Sequence, residues 1–286
     1  MSKIGLLVEG GGMKCAYGAG VLDIFLKENI EFPYVCGVSA GAANAASFVA
    51  KQYGRNKRFY TEHVNEPDYA SMKNFVKKGN FFDLDYIYGT LSEKGGADEL
   101  DFETLMSNPT ELVFPATNAV TGQARFFTKN DLKPDDFSPV KATSALPVIC
   151  KPILIDGNYY YDGGIVASIP VRKMMEDGCD KIVAVMSKHR GYMMKPQGHK
   201  AVYTMWLRRN FPKTVELINR RHKQYNASMR KLLALQREKK ALIYYVPDEI
   251  KVKTTTNDDR ITTKLYEAGF RDGEKNMDIL RRFMEE

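Results

Sequence analysis

The chain lacks most of the features that would place a protein in a membrane, in an oxidising compartment or around a metal. Its apolar runs, such as residues 182–186, are too short to cross a bilayer. The first residues lead directly into a short strand, without the apolar stretch of a signal peptide. The four cysteines show no C-x-x-C spacing, so neither a disulfide framework nor a zinc site is predicted. We therefore expect a cytoplasmic protein that needs neither a metal nor an organic cofactor.

Acidic residues are scarce in one segment, which gives the charge an uneven distribution. Residues 186–240 hold 15 Lys and Arg against 2 Asp and Glu, although the whole chain carries a net charge of only +7. Two interpretations remain open: a solvated helical face, or attraction to an anionic surface made of lipid headgroups or nucleic acid. Trp206, the single tryptophan, lies in this segment, as expected at a membrane interface. No recognised nucleic-acid motif is present, so we expect no nucleic-acid partner.

The order of apolar segments predicts an α/β fold. Residues 4–8 and 34–38 read as buried strands, and each is followed by a glycine-containing turn and a helix. This strand–helix–strand–helix opening predicts a parallel sheet with helices on both faces. Later strands are predicted near residues 112–118, 123–128, 153–155, 159–161, 181–186 and 242–246, and later helices near 138–145, 170–176, 200–240 and from 260 onward.

The length allows one large domain or two small ones. We expect a domain over residues 1–190 and a basic, mostly helical C-terminal extension over residues 191–286 packed on it. Residues 54–109 are rich in aromatic side chains broken by glycines, and we read them as an insertion over the sheet edge. Two interpretations of its aromatic residues stay open: a lid or wall of an acyl-chain site, or ordinary core packing.

A G-x-S-x-G motif is the most informative feature of the chain. It runs from Gly37 to Gly41, with Ser39 at its centre, between the second strand and an alanine-rich helix. This is the strand–turn–helix context of a nucleophile elbow. The flanking glycines permit a sharp turn that exposes the serine hydroxyl, and the helix N-terminus favours negative charge beside it. The motif therefore predicts that Ser39 is a nucleophile.

A glycine-rich loop follows the first strand, and its residues are Gly10, Gly11, Gly12, Met13 and Lys14. Such a loop presents backbone N–H groups to an anion, either a phosphate or the oxyanion of an acyl-transfer intermediate. The dinucleotide fingerprint fails at Cys15, and no G-K-[ST] follows, so an oxyanion hole is the better interpretation. If the first two strands are parallel neighbours, this loop and Ser39 lie side by side at the carboxyl edge of the sheet.

Asp162 is the candidate base for Ser39. It ends a tyrosine-rich strand and is followed by Gly163 and Gly164, which allow substrate to approach closely. A carboxylate can accept the serine proton directly in a two-residue dyad. None of the histidines has a comparable glycine-flanked context; they are His63, His189, His199 and His222. The alternative for Asp162 is a structural Asx turn.

Together these motifs resemble those of the patatin-like phospholipase family, and most closely its bacterial cytosolic branch. The three family motifs appear in the family's order as residues 10–14, 37–41 and 162–164, and residues 142–147 also match a family block. The chain departs from the family at Cys15, where glycine is usual. Cys15 itself is either a low-pKa thiol beside a helix N-terminus or a small buried filler.

The resemblance implies a three-layer α/β/α sandwich with a mainly parallel sheet and a serine hydrolase of lipid carboxylic esters. This class includes phospholipase A, lysophospholipase and acylglycerol lipase activities. Ser39 and Asp162 would form the catalytic dyad, and the glycine-rich loop would form the oxyanion hole. The implied partner is a lipid or phospholipid ester, whereas peripheral contact with an anionic membrane surface is one of the two interpretations of the basic segment.

Three alternatives stay open at the level of the sequence. The first is a conventional triad in which His189 joins Ser39 and Asp162. The second is an acyltransferase or thioesterase that uses the same dyad. The third is a non-catalytic module that binds an anion or a nucleotide.

Overall fold

Eight strands form one sheet in the computed structural model, which describes residues 2–286. Across the sheet the order is β5-β6-β3-β2-β1-β7-β8, with β4 paired to β3 outside this path. The strand bounds are β1 Ile4–Val8, β2 Tyr34–Gly37, β3 Glu111–Asn118, β4 Ala124–Thr128, β5 Ile153–Ile155, β6 Asn158–Asp162, β7 Lys181–Val185 and β8 Ala241–Tyr244.

The sheet is mixed but mostly parallel, as the sequence predicts. The strands β3, β2, β1, β7 and β8 pair in parallel with their neighbours. The hairpin partner β4 and the strand β6 run antiparallel to β3, and β5 runs antiparallel to β6. Every residue of β1 and β2 is buried, because helices cover both faces of a parallel sheet.

Eleven α-helices among the described residues surround the sheet. Their bounds are α1 Ala16–Lys27, α2 Ala40–Val49, α3 Arg55–Thr61, α4 Met72–Lys78, α5 Phe102–Ser107, α6 Ser138–Ser144, α7 Val171–Glu176, α8 Lys200–Leu207, α9 Pro212–Arg237, α10 Asp259–Lys275 and α11 Met277–Glu285. Short 3₁₀ turns and one π-helical turn, Tyr86–Thr90, complete the secondary structure. Within residues 2–286, no helix has both the length and the apolar character needed to span a bilayer.

The core has two layers, one on each face of the sheet. Alternate residues of β1 point to opposite faces, so Leu6 packs with α1, α2 and α10, whereas Leu7 packs with α7 and α9. Buried residues from these five helices thus cover a continuous apolar sheet. This arrangement confirms the predicted three-layer α/β/α architecture.

The C-terminal helices pack tightly against the first part of the chain. The helices α1 and α10 cross so closely that a Cβ on Gly269 would lie 1.9 Å from the Tyr17 carbonyl oxygen. The Tyr17 hydroxyl also donates to Asp272, and the Tyr266 hydroxyl donates to Asp23. With α9 on the opposite face, the region after residue 190 covers both faces of the sheet. The domain boundary at residue 190 itself stays a prediction.

The basic helical region predicted over residues 200–240 consists of two helices. A break over residues 208–211 separates α8 from α9. Pro212 explains it, because proline has no N–H to continue a helix and is suited to the first turn of a new one. The residue before it, Phe211, leaves the helical conformation, with φ −135° and ψ 58°.

Candidate active site

Ser39 lies in the turn between β2 and α2, as the elbow motif predicts. Its backbone has φ 54° and ψ −134°, a conformation that is strained for a residue with a side chain. Such strain persists only where the surrounding structure enforces it. Here the end of β1 enforces it, because β1 approaches the turn so closely that a Cβ on Gly41 would lie 2.5 Å from the Val8 carbonyl oxygen.

The Ser39 hydroxyl donates a hydrogen bond directly to Asp162, with 2.6 Å between Oγ and Oδ2. The other carboxylate oxygen, Oδ1, accepts the Gly164 N–H at 2.6 Å. The Asp162 side chain is buried, and this burial raises its pKa above the ordinary value. The Ser39 hydrogen bond, the charge of Arg221 and the Gly164 N–H act in the opposite direction and favour the ionised form.

The C-terminal end of α6 holds both members of this pair. The Thr143 hydroxyl accepts the Ser39 N–H at 3.1 Å. Two residues later, the Ala145 carbonyl accepts the Asp162 N–H at 2.8 Å. One short stretch of chain therefore fixes the backbones of two residues that are far apart in sequence. The sequence marks this block only as a family resemblance, without a role for Thr143 or Ala145.

The glycine-rich loop lies beside Ser39 because β1 and β2 are parallel neighbours in register. The two segments approach so closely that a Cβ on Gly10 would lie 2.7 Å from the Ser39 Cβ and 2.6 Å from the Val38 carbonyl oxygen. Any side chain at position 10 would therefore displace the elbow. This contact places the loop and the serine together, as predicted.

The loop offers three N–H groups that donate to no other group of residues 2–286; they belong to Gly10, Gly11 and Gly12. The Ser187 hydroxyl donates to the Gly10 carbonyl oxygen at 2.6 Å. Because the peptide unit is planar and trans, this contact turns the Gly11 N–H to the side away from Ser187.

Met13 and Lys14 differ from the expectation for an oxyanion hole. The Met13 N–H donates to the Thr254 carbonyl at 3.1 Å, and the Lys14 N–H donates to the Gly11 carbonyl at 3.3 Å. Neither N–H is free in this structure. The Lys14 side chain does line the cavity above Ser39, so it can still contribute charge there.

Cys15 is a buried structural residue. Its φ of −71° is ordinary for a right-handed helix, so this position does not require glycine. The thiol donates to the Glu9 carbonyl, and burial raises its pKa to about 12. The reading as a low-pKa thiol is therefore wrong, and the reading as a small buried filler is confirmed.

A cavity of about 670 Å³ opens above the pair, with Ser39 and Asp162 in its wall. Its cationic lining includes Lys14, Lys188 and Arg221. Lys188 lies 3.7 Å from the buried carboxylate of Glu9. The pKa of Lys14 is lowered, first by burial and then by the charge of Lys188. Glu9 lines the same cavity and pairs with Lys188, which leaves Lys14 as a cation without a carboxylate partner among residues 2–286 and so favours an anionic group beside it.

Arg221 reaches this cavity from the C-terminal helix α9. Its Nε donates to the Gly164 carbonyl oxygen at 2.6 Å, and its guanidinium lies beside Asp162. From the next turn of α9, the Tyr225 hydroxyl donates to Glu9 at 3.1 Å. The sequence analysis missed both residues, because single residues within a long basic helix carry no local pattern that marks a site.

His189 lines the same cavity but contacts neither member of the pair. Its Nδ1 lies 3.0 Å from the Arg190 carbonyl oxygen and 3.5 Å from Asp248. Ser39 and Asp162 are joined by a direct hydrogen bond, and no imidazole lies between them. No group of three His, Cys, Asp or Glu side chains within the described range could hold a metal ion.

Two apolar spaces adjoin the dyad. A narrow cleft lies beside Ser39, and its wall includes Tyr69, Phe82 and Tyr88 from the aromatic insertion. Phe82 and Tyr88 also pack against the core, whereas a role of the insertion as a lid or acyl-chain wall stays a prediction. On the other side, a cavity of about 540 Å³ shares Leu146 and Arg221 with the cavity above Ser39.

Comparison with known proteins places these features in a family. A family model described as patatin-like phospholipase matches residues 6–175, more than half of the chain. A second model, described as a domain of unknown function (DUF6363), matches residues 211–285. Arg221 and Tyr225 therefore lie outside the first match and inside the second.

Individual proteins and one solved structure are also similar to this chain. The chain is 27% identical over 218 residues to the uncharacterized protein YjjU of Escherichia coli, covering 72% of this chain and 57% of that protein. It is 24% identical over 188 residues to lysophospholipase nte1 of Aspergillus terreus, covering 64% of this chain and only 12% of that protein. The crystal structure of VipD from Legionella pneumophila aligns with a TM-score of 0.50 at 14% identity, over 97% of this chain and 67% of that chain. This last likeness concerns the fold alone.

The buried charge of Asp162 leads to a prediction about stability. Because its folded pKa is raised, the folded protein binds the proton more tightly than the unfolded chain does, so ionised Asp162 destabilises the fold at high pH. Asp162→Asn keeps the shape and removes the charge. We expect urea unfolding to show a more stable variant at pH 8, with a gain that disappears as the pH falls below the ordinary pKa of aspartate.

The control is Asp156→Asn, which changes an exposed carboxylate in the β5–β6 turn. Its effect on the free energy of unfolding should be the same at pH 8 and at about pH 3. An Asp162→Asn variant that is less stable at pH 8 than at about pH 3, relative to the native chain, would contradict the assignment of an unfavourable buried charge.

Proposed function

We propose that this chain, which belongs to the patatin-like phospholipase family, hydrolyses carboxylic esters of lipids with Ser39 as nucleophile and Asp162 as base. The observation that carries the proposal is the direct 2.6 Å hydrogen bond from the strained Ser39 to a buried carboxylate. The substrates in view are phospholipids, lysophospholipids and acylglycerols, in keeping with the lysophospholipase name of the fungal relative.

In the first half of the proposed reaction, Ser39 Oγ attacks the ester carbonyl carbon while its proton passes to Asp162 Oδ2. The carbonyl oxygen becomes an oxyanion beside the free N–H groups of the glycine-rich loop. The C–O bond to the alcohol then breaks, and Asp162 returns its proton to the leaving oxygen. This step leaves the acyl group on Ser39.

In the second half, water attacks the acyl-enzyme carbonyl, and Asp162 accepts one of its protons. Collapse of the second tetrahedral intermediate releases the fatty acid and restores the Ser39 hydroxyl with that proton. The raised pKa of Asp162 suits this role, because a more basic carboxylate accepts a proton more readily. The scheme uses no metal and no organic cofactor.

The walls of the site suggest where the parts of a lipid ester lie. Apolar and aromatic side chains beside Ser39 suit the acyl chain. Lys14, with Lys188 next to it, suits a headgroup phosphate on the opposite side. We propose a phosphate-bearing lipid over a neutral acylglycerol for this reason.

The proposal extends to organisation and location. Residues 1–190 form the catalytic domain, and residues 191–286 complete its active site through Arg221. The four cysteines are unpaired and buried, which fits the reducing cytoplasm. From there the protein would reach its substrates at a membrane surface.

Labelling with a fluorescent fluorophosphonate tests the dyad without knowledge of the substrate. The reagent phosphonylates a serine only when its hydroxyl is activated. We expect labelling of the native protein, none of Ser39→Ala, and a loss of at least about 100-fold in rate for Asp162→Asn, in the usual range for loss of a general base.

A His189→Ala variant, labelled in parallel, separates the dyad from a triad. Labelling at nearly the native rate supports direct activation by Asp162, whereas loss of labelling would assign the base to His189. If the native protein binds lysophospholipid without being labelled, the chain is a binding module and the hydrolase proposal fails. Transfer of the acyl group to an alcohol faster than to water would make it an acyltransferase.

Arg221 gives a second prediction, about pH. Its positive charge lowers the pKa of Asp162, so removing that charge should raise it. We expect the acidic limb of the pH profile of the labelling rate to move to higher pH in Arg221→Gln. In Arg221→Lys, which keeps the charge, this limb should move less.

The matched control is Arg220→Gln on the same helix, where the arginine pairs with Glu216 and is exposed. Its pH profile should coincide with that of the native protein. An equal loss of rate at every pH in Arg221→Gln, with no shift of the limb, would mean that Arg221 acts only by holding the Gly164 loop.

A further inference from the structure

Two short helices expose large apolar side chains on one surface. Val76 on α4 is 80% exposed, and Met205 and Trp206 on α8 are 75% and 59% exposed. Met72 and Val202 are also exposed, one helical turn before these residues, so each helix presents them on a single face. We call these five side chains the docking face: Met72, Val76, Val202, Met205 and Trp206.

Phe75 joins the two helices into one surface. Its ring lies 6.4 Å from the ring of Trp206, centroid to centroid, and Phe75 is itself half-buried between them. The apolar residues of α4 and α8 are therefore neighbours in space although more than 120 positions separate them in the chain. Exposed tryptophan, valine and methionine side chains grouped in this way mark an interaction site.

Cations surround the docking face. Lys73 and Lys77 lie on α4, and Lys200, Arg208 and Arg209 lie on or beside α8, all of them exposed. Their neighbours Lys78 and Lys213 pair with carboxylates, whereas these five have no such partner among residues 2–286. Residues 181–215 contain no Asp or Glu at all. The surface is thus apolar at its centre and positively charged at its edge.

The docking face also adjoins the entrance to the active site. Val202 and His199, at the start of α8, line the apolar cavity of about 540 Å³. That cavity shares Leu146 and Arg221 with the cavity that contains Ser39. The cavity beside the docking face and the cavity that contains the nucleophile are therefore neighbours.

We propose that the docking face binds the surface of an anionic lipid bilayer, with Trp206, Met205 and Val76 in the headgroup region and the surrounding cations on lipid phosphates. An aromatic and aliphatic centre ringed by Lys and Arg is the chemistry of an interfacial membrane site. A second copy of the chain would bring two cationic surfaces together, which like charges oppose. The role of the face in delivering substrate rests on the proposed function, but binding itself does not.

Co-sedimentation with vesicles tests the proposal in the full-length Ser39→Ala variant, so that no lipid is hydrolysed. One set of vesicles contains phosphatidylcholine with about 30% phosphatidylglycerol, a content that gives a strongly negative surface, and the other contains phosphatidylcholine alone. We expect binding to the anionic set that weakens with salt. Val76→Ser with Met205→Ser and Trp206→Ser should reduce the partition coefficient by about tenfold or more, and so should Arg208→Glu with Arg209→Glu.

Matched controls make the same changes elsewhere on the surface. Tyr53→Ser with Val120→Ser removes exposed apolar side chains outside the docking face, and Arg230→Glu with Lys231→Glu reverses two exposed charges on the distal half of α9. All variants are checked for native thermal unfolding before use. The controls should bind like the parent.

Equal binding to both vesicle sets, or equal losses in the docking-face and control variants, would overturn the proposal. A dimer in sedimentation velocity that Trp206→Ser dissociates would assign the face to a second copy instead, and tighter binding to a duplex oligonucleotide than to vesicles would assign it to nucleic acid. Because the Ser39→Ala protein is used throughout, failure here leaves the fluorophosphonate result on the dyad unaffected.

Discussion

The hydrogen bond from Ser39 to the buried Asp162 is the interaction on which the rest of the site depends. The two residues are 123 positions apart and meet because β3 lies between their strands, parallel to β2 and antiparallel to β6. A buried carboxylate is unfavourable unless its oxygens are satisfied. Here the serine hydroxyl and the Gly164 N–H donate to the two oxygens, so both donors favour the ionised carboxylate that the proposed chemistry needs.

The C-terminal region contributes to this site from outside the span that the patatin-like model matches. Arg221 supplies the cation beside Asp162. The Tyr225 hydroxyl donates a hydrogen bond to Glu9, and the Thr254 carbonyl accepts one from the Met13 N–H. The same basic segment has two different surfaces. Its inward side serves the carboxylate, and its outward side, with Trp206 at the centre, faces solvent with unpaired cations. The positive charge of this segment, which is continuous in the sequence, is thus divided between the active site and the solvent-exposed surface around Trp206.

The sequence predicted the parts of the fold and the site that have a local signature. Short apolar segments located the strands, and the glycines on both sides of Ser39 and after Asp162 pointed to the candidate dyad. Thr143 and Arg221 could not be predicted, because their roles arise only when distant segments meet. The helix break before Pro212 was missed because the basic composition is the same on both sides of it. The aromatic insertion stayed ambiguous, since its rings follow no helical or strand period.

The most direct test of the central claim is to trap the acyl-enzyme. The native protein would be mixed with a 1-acyl lysophospholipid, quenched in acid within one turnover and digested, and the peptide that contains Ser39 would be weighed by mass spectrometry. The proposed mechanism predicts a mass gain equal to the fatty acyl group on Ser39 in the native protein and none in Ser39→Ala. Release of fatty acid while Ser39 remains unmodified at every quench time would contradict it.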